Sequence, residues 1–166
     1  MTVSRLIARP MLASIFVVGS SAALKNPSAA ATKAEPVTSR LVPAIRKAGV
    51  PVPNDTETLV RINAGVQIGA ALALATGRMP RLSAAVLAAS LVPTTVAGHR
   101  YWEQDDPAQK TQQRLHFFKN ISVLGGLVIA AGDTDGKPGV AWRARRAAKD
   151  ARREARRLAK DAHLRH

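Results

Sequence analysis

The stretch that decides the fold is residues 59–97, LVRINAGVQIGAALALATGRMPRLSAAVLAASLVPTTVA. It holds two apolar segments, Leu59–Thr76 and Leu82–Ala97, which are separated only by the link GRMPR at 77–81. The acidic stretch Asn54–Glu57 precedes the first segment and is suited to capping a helix N-terminus. Because the link is so short, the two segments are predicted to form an antiparallel helical hairpin.

Two further apolar segments flank this hairpin, Leu6–Leu24 and Leu115–Gly132. All of these segments are near the lower end of the length that crosses about 30 Å of hydrocarbon at about 1.5 Å per residue. The sequence therefore predicts an all-α protein built on a four-helix transmembrane bundle. Hydropathy alone leaves a buried soluble bundle open, because alanine dominates these segments and inserts into membranes with little free-energy gain.

The connection Lys25–Thr58 is rich in proline but contains one periodic stretch. Its apolar residues recur every three or four positions, at Val37, Leu41, Ile45 and Ala48. This spacing predicts a short amphipathic helix over Val37–Ala48, interrupted or kinked at Pro43. In the first outer loop it is either an interfacial helix at the membrane surface or an ordinary surface helix.

The charge of the chain is distributed unevenly. The net charge is +14, and ten of the 25 Lys and Arg residues lie from Arg143 onward. Arg5 and Arg9 lie at the front of the first apolar segment, and Arg78 and Arg81 lie in the hairpin link, whereas the other two connections mix acidic and basic residues. The positive-inside rule then predicts a multi-pass protein of the bacterial plasma membrane with both termini in the cytoplasm.

The first apolar segment also has features of a cleavable signal peptide. Basic residues lie at its front, and Ser21-Ala22-Ala23 resembles a cleavage site. The three later segments favour its retention as an anchor. A secreted soluble basic protein that begins near Leu24 stays open as an alternative.

Several polar residues lie within the predicted spans. Asn63 and Gln67 are four positions apart on one helix face, and residues 116–120 bring a similar group from another span. Ionisable groups within spans are costly in lipid and are functional candidates by default. The candidate ligand-binding cluster consists of Arg61, Asn63, Gln67, His116, Lys119 and Asn120. Two structural explanations stay open: the cations reach the interface, or the amides only join helices by hydrogen bonds.

The absence of cysteine limits the chemistry that this chain can perform alone. It has no cysteine, so it forms no disulfide, no thiolate-ligated iron–sulfur cluster and no dithiol redox centre. No metal, phosphate or nucleophile motif is visible, and His99 and His116 lack the spacing of a dedicated metal pair. We therefore predict no catalytic residue and no metal, and these residues identify no cofactor.

The segment Ala141–His166 is predicted to be a basic cytoplasmic helix with a thin stripe of small residues. Anionic lipid headgroups or an acidic protein are its favoured partners, and nucleic acid is less favoured. A solvated tail that only sets topology is the simplest alternative. The residues predicted to contact lipid or a partner are Arg143, Arg145, Arg146, Lys149, Arg152, Arg153, Arg156 and Arg157.

Several short segments, in this order, resemble the DoxX family of bacterial membrane proteins, and more narrowly its actinobacterial branch with a basic tail. The resemblance covers about Arg5–Arg146. The segments are RPMLA at 9–13, ALKNP at 23–27, LVRINA at 59–64, LALATGR at 72–78, PTT at 93–95 and HFFKN at 116–120.

The resemblance implies a compact four-helix membrane domain, here residues 1–140, followed by the tail at 141–166. Some relatives are membrane subunits of thiosulfate:quinone oxidoreductase, and others are associated with membrane redox and oxidative-stress complexes. The leading hypothesis is a non-catalytic membrane subunit or scaffold for a soluble redox partner. The alternative is a quinone-linked oxidoreductase subunit with a polar pocket in the outer half of the bundle.

Overall fold

The computed structural model describes residues 3–134, 136 and 139–163, with side chains in the last range described for 139 and 142–156. One compact unit ends at Gly132, and a second begins at Asp133. The helices of the described residues are α1 (Val3–Lys25), α2 (Pro27–Lys47), α3 (Thr56–Ala75), α4 (Pro80–Gly98), α5 (Pro107–Gly132) and α6 (Val140–His163), with a short 3-10 helix at Tyr101–Glu103. No strand occurs among these residues, so the predicted all-α fold is confirmed.

Helices α1, α3, α4 and α5 are each long and apolar enough to cross a membrane, which confirms the four predicted spans. The hairpin of α3 and α4 is also confirmed, because the two helices pack together across a tight turn. Gly77 and Met79 in this turn have positive φ angles of 73° and 48°. Pro80 then begins α4, where its fixed φ and missing N–H are tolerated.

Helix α5 begins at Pro107, well before the predicted start at Leu115. The Asp106 carboxylate accepts a hydrogen bond of 2.9 Å from the Gln109 N–H and so caps the helix. Residues between these two points are mainly good helix formers, so the first turns form without an apolar face. Hydropathy located the apolar part of this helix but not its polar beginning.

Helix α2 differs most from the prediction, because it is one continuous helix from Pro27 to Lys47 rather than a short one from Val37 to Ala48. Pro36 and Pro43 lie inside it. The Thr38 hydroxyl donates to the Ala34 and Glu35 carbonyls at 3.3 and 3.2 Å, in the turn that contains Pro36. The alanine-rich first half favours helix strongly enough to extend the element to its proline start.

Helix α3 is capped as the acidic stretch Asn54–Glu57 predicts. Asp55 accepts hydrogen bonds from the Thr58 N–H at 2.8 Å and the Thr58 hydroxyl at 2.6 Å. These bonds from Thr58, with smaller contributions from Glu57 and Arg61, hold the pKa of the Asp55 carboxyl below its ordinary value. The cap is therefore ionised at neutral pH and survives mild acid.

The four long helices enclose a core that fills one end of the bundle. Helix α3 packs on α1 and α4, α5 packs on α4, and Leu12 of α1 meets Gly126 of α5. The buried core residues are Ala13, Phe16, Ala71, Leu74, Ala84, Leu87, Leu91 and Leu127. Arg81 Nε donates to the Ala131 carbonyl at 3.0 Å and closes this end, which we call the Arg81 end. Helix α2 packs on α3 and α4 at the other end, which we call the α2 end.

Candidate functional site

A cavity of about 550 Å³ opens at the α2 end, between α2 and the four long helices. We call it the α2 cavity. Its apolar walls include Ile15, Phe16, Val37, Leu41, Val60 and Leu91. Its polar residues include Ser20, Lys33, Asn63, Gln67, Lys119 and Asn120. Its size and its mixture of apolar walls with a few polar groups are typical of sites for small organic molecules.

A chain of three hydrogen bonds joins α1, α3 and α4 at the side of this cavity. The Ser20 hydroxyl donates to Gln67 Oε1 at 2.7 Å. Gln67 Nε2 donates to the Ser90 hydroxyl at 2.6 Å, and that hydroxyl donates to Asn63 Oδ1 at 2.7 Å. Ser20 and Gln67 are buried, with 2% and 8% of their surfaces exposed. The interhelical hydrogen bonds that the sequence left open for Asn63 and Gln67 are therefore present.

This chain engages the oxygen of the Asn63 amide. Its oxygen accepts from Ser90, so its nitrogen is the group left to donate. Asn63 is half-buried and lines the α2 cavity, and its Nδ2 meets no protein acceptor among the residues that the structure describes. Asn63 therefore offers a hydrogen-bond donor to a molecule in the cavity.

A second polar group joins α4 to α5. Asn120 Nδ2 donates to the Thr95 hydroxyl at 3.1 Å. Nearer the start of α5, Lys119 Nζ lies 3.2 Å from Nδ1 of His116, whose ring stacks on His99 with a centroid distance of 5.2 Å. His99, Lys119 and Asn120 line the cavity, so this group extends the polar side of the site.

The structure divides the predicted cluster. Asn63, Gln67, Lys119 and Asn120 line the α2 cavity, and His116 lies beside it through Lys119 and His99. Arg61 does not line the cavity.

Arg61 forms an ion pair of 2.6 Å with Glu57 one turn earlier, and 57% of its side chain is exposed. Side chains two positions apart on a helix differ in direction by about 200° around its axis, which explains why Arg61 faces away from Asn63.

Ser90 and Lys33 are among the residues of the site that sequence reasoning missed: Lys33 lines the cavity, and Ser90 links α3 to α4 beside it. Ser90 interrupts the apolar centre of α4, and a polar residue at that depth is the signal that could have identified it. Lys33 belongs to the connection Lys25–Thr58, in which the sequence predicts a helix only from Val37, so it has no predicted helix face. Its place in the cavity follows from the early start of α2.

The described side chains of α6, from 142 to 156, are all exposed. The Arg146 guanidinium lies 5.2 Å from the centre of the Trp142 ring, and its Nε lies 3.9 Å from Asp150. The predicted contact residues with described side chains are thus solvent-facing: Arg143, Arg145, Arg146, Lys149, Arg152, Arg153 and Arg156. The side chain of Arg157 lies outside the described residues.

The lining of the α2 cavity combines apolar side chains with neutral amides and ammonium groups. In the part of the chain that the structure describes, no three His, Cys, Asp or Glu residues are grouped as metal ligands. The apolar walls suit a lipophilic body, and the amide and ammonium groups suit a head that accepts hydrogen bonds.

Four apolar helices of membrane-spanning length around a cavity define a helical multi-pass membrane protein. The family model for DoxX matches residues 4–100, more than half of the chain, and the protein belongs to the DoxX family. The match covers α1 to α4, which supply most of the cavity wall. Neither the curated proteins nor the solved structures give a significant match.

Proposed function

We propose that this DoxX-family protein is a non-catalytic membrane subunit that binds an amphiphilic molecule in the α2 cavity for a redox or oxidative-stress complex. The observation that carries this proposal is the cavity itself, with apolar walls and a donor from Asn63 on its polar side. An amphiphile from the membrane has an apolar part that matches the walls and a polar part that matches the Asn63 donor. The absence of cysteine supports a binding role rather than an independent thiol-based activity.

A quinone is the redox-active molecule that best fits this description. Its carbonyl oxygens accept hydrogen bonds, which Asn63 and Lys119 are able to donate, and its isoprenoid tail is apolar. If it is the natural ligand, the protein is the membrane subunit of a quinone-linked oxidoreductase. Electron transfer would then depend on a partner protein, because the chain holds no thiol centre.

Ligand binding is tested with the purified protein in nanodiscs of neutral lipid. We expect a short-chain quinone or a single-chain amphiphile to bind saturably, with about one molecule per chain, as a site of the size of the α2 cavity allows. Empty nanodiscs of the same lipid give the partition background. If every probe partitions linearly, without a saturable component above that background, the proposed function is wrong.

The proposed setting is the bacterial plasma membrane, with both termini in the cytoplasm. Arg78 and Arg81 at the opposite end from α2, together with the basic tail, support this orientation. The α2 cavity then faces the outer half of the bilayer. Helix α1 contributes Ala13 and Phe16 to the core, which supports its retention as an anchor rather than its removal as a signal peptide.

The exposed basic surface of α6 supports a second proposal, that the tail lies on anionic lipid headgroups and from there meets a soluble redox partner. Each Lys or Arg near an anionic surface contributes about 1 kcal/mol to its attraction. In nanodiscs with anionic lipid, trypsin should therefore remove the tail at least about threefold more slowly than in neutral nanodiscs.

Salt provides the control for the tail experiment. The screening length falls to about 3 Å at 1 M salt, so the protection should disappear there. Equal cleavage rates in anionic and neutral nanodiscs at low salt would contradict lipid binding by α6. Truncation at Trp142 should in addition release a partner that depends on the tail.

A further inference from the structure

We propose that the α2 cavity binds the anionic form of a single-chain amphiphile, with a carboxylate or phosphate head held by Lys33 of α2 and Lys119 of α5. The proposal rests on the proposed function and names the class of molecule that the site takes. Both lysines line the cavity, and no Asp or Glu is among its described lining residues. The site therefore carries positive charge with no counter-ion of its own.

Neither lysine forms an ion pair among the residues that the structure describes. The polar neighbour of Lys119 is His116, whose imidazole carries no negative charge. Both lysines are exposed and line the cavity, so an anion that enters is attracted by two cations that lack a protein counter-ion in the part of the chain that the structure describes. Asn63 adds a neutral donor to the same cavity.

Several carboxylates at the α2 end are already held by other groups. Glu57 pairs with Arg61 at 2.6 Å, and Glu103 pairs with Arg100 at 2.9 Å. These two arginines are thus compensated, in contrast to the two lysines.

The nearby aspartates at the helix starts are also engaged. Asp55 caps α3 through Thr58, and Asp106 caps α5 through Gln109. Glu35 lies two positions from Lys33 on α2, about 200° around the helix, and does not line the cavity. None of these carboxylates lines the cavity, so an incoming anion supplies the negative charge that the described lining residues lack.

The apolar part of the cavity suits a single chain. Val37 and Leu41 of α2 form one wall, while Phe16 and Leu91 belong both to the cavity and to the bundle core. A chain between them is covered by protein, while its head stays near the lysines at the polar side. Fatty acids and lysophosphatidic acid share this chemistry, an anionic oxygen head on one chain.

The experiment compares anionic and neutral amphiphiles of equal chain length in neutral nanodiscs at about pH 8, where both anionic heads carry charge. The probes are palmitate and hexadecanol for the carboxylate arm, and palmitoyl lysophosphatidate and monopalmitoyl glycerol for the phosphate arm. Wild-type protein should bind each anion at least about tenfold more tightly than its neutral partner. The arm with the larger ratio identifies the preferred head.

Replacement of both lysines, Lys33→Met with Lys119→Met, should reduce that ratio to within about twofold of unity, because the charges that recognise the head are gone. The single variants Lys33→Gln and Lys119→Gln should each lower it by about threefold, which provides a second measurement if the double variant does not fold. The control is Lys110→Met, on α5 but outside the cavity lining, which should keep the wild-type ratio.

Two outcomes overturn different claims. If the neutral probes bind as tightly as the anions, or if the lysine variants keep the wild-type ratio, the proposal that the lysines recognise an anionic head is wrong. The proposed binding function then still stands. If no probe, the quinone included, binds saturably, the proposed function fails as well.

Discussion

Gly19→Leu should weaken amphiphile binding at least about tenfold while leaving the bundle folded. Gly19 lines the α2 cavity, and a Cβ added there would have no other heavy atom within 4 Å. The leucine side chain therefore extends into the space that a ligand would fill instead of pressing on a neighbouring helix. Binding isotherms for palmitate and a short-chain quinone in nanodiscs measure the effect.

The matched control is Gly125→Leu. Gly125 is exposed on α5, has equally open space around an added Cβ, and does not line the cavity. This variant should bind as the wild type does, so it separates loss of cavity space from the general effect of leucine at a helical glycine. Wild-type affinity in Gly19→Leu would mean that the ligand binds elsewhere.

Gln67→Leu should lower the free energy of unfolding by about 1–2 kcal/mol. The change removes the bonds that Gln67 makes to Ser20 and Ser90, of which Ser20 is buried at 2% exposure. Bonds between membrane helices contribute about 0.6 kcal/mol each on average, and a buried group left without its partner adds to the loss. Each serine hydroxyl is able to rotate and donate to a backbone carbonyl of its own helix, which keeps the loss of stability moderate.

Reversible unfolding in mixed micelles measures this change. Gln112→Leu is the control, because Gln112 is exposed in the polar first turns of α5 and should shift the free energy by less than about 0.5 kcal/mol. A Gln67→Leu protein as stable as the wild type would show that the hydrogen-bond chain contributes nothing to bundle stability. Asn63 would in that case not be oriented by this chain.

The spans were predictable because their signal is local. The apolar segments and the tight link at 77–81 define the hairpin of α3 and α4 without any knowledge of packing. The full length of α2 was not predictable from hydropathy, since its first half is held by helix propensity and its two internal prolines argue for a break. The start of α5 was not predictable from hydropathy either, because its first turns consist of polar helix-forming residues without an apolar face.

The sequence predicted the level of the candidate site along the helices, but it did not predict which face of each helix meets the bundle. Asn63 and Gln67 were identified because amides are rare within membrane spans, and both line the cavity. Arg61 belongs to the same helix turn but faces outward, and helical periodicity alone does not say which face meets the bundle. Ser90 and Lys33 join the site through contacts between helices, which spacing along one helix does not specify.

Photo-crosslinking in nanodiscs tests most directly whether the α2 cavity is the binding site, with a palmitate probe that carries a diazirine at its chain end. The label should appear on deep residues of the cavity wall, Phe16, Ala64 and Leu91, and should be lost in Gly19→Leu. Label confined to lipid-facing residues such as Ile62 and Ile129, unchanged in that variant, would contradict a binding site inside the bundle.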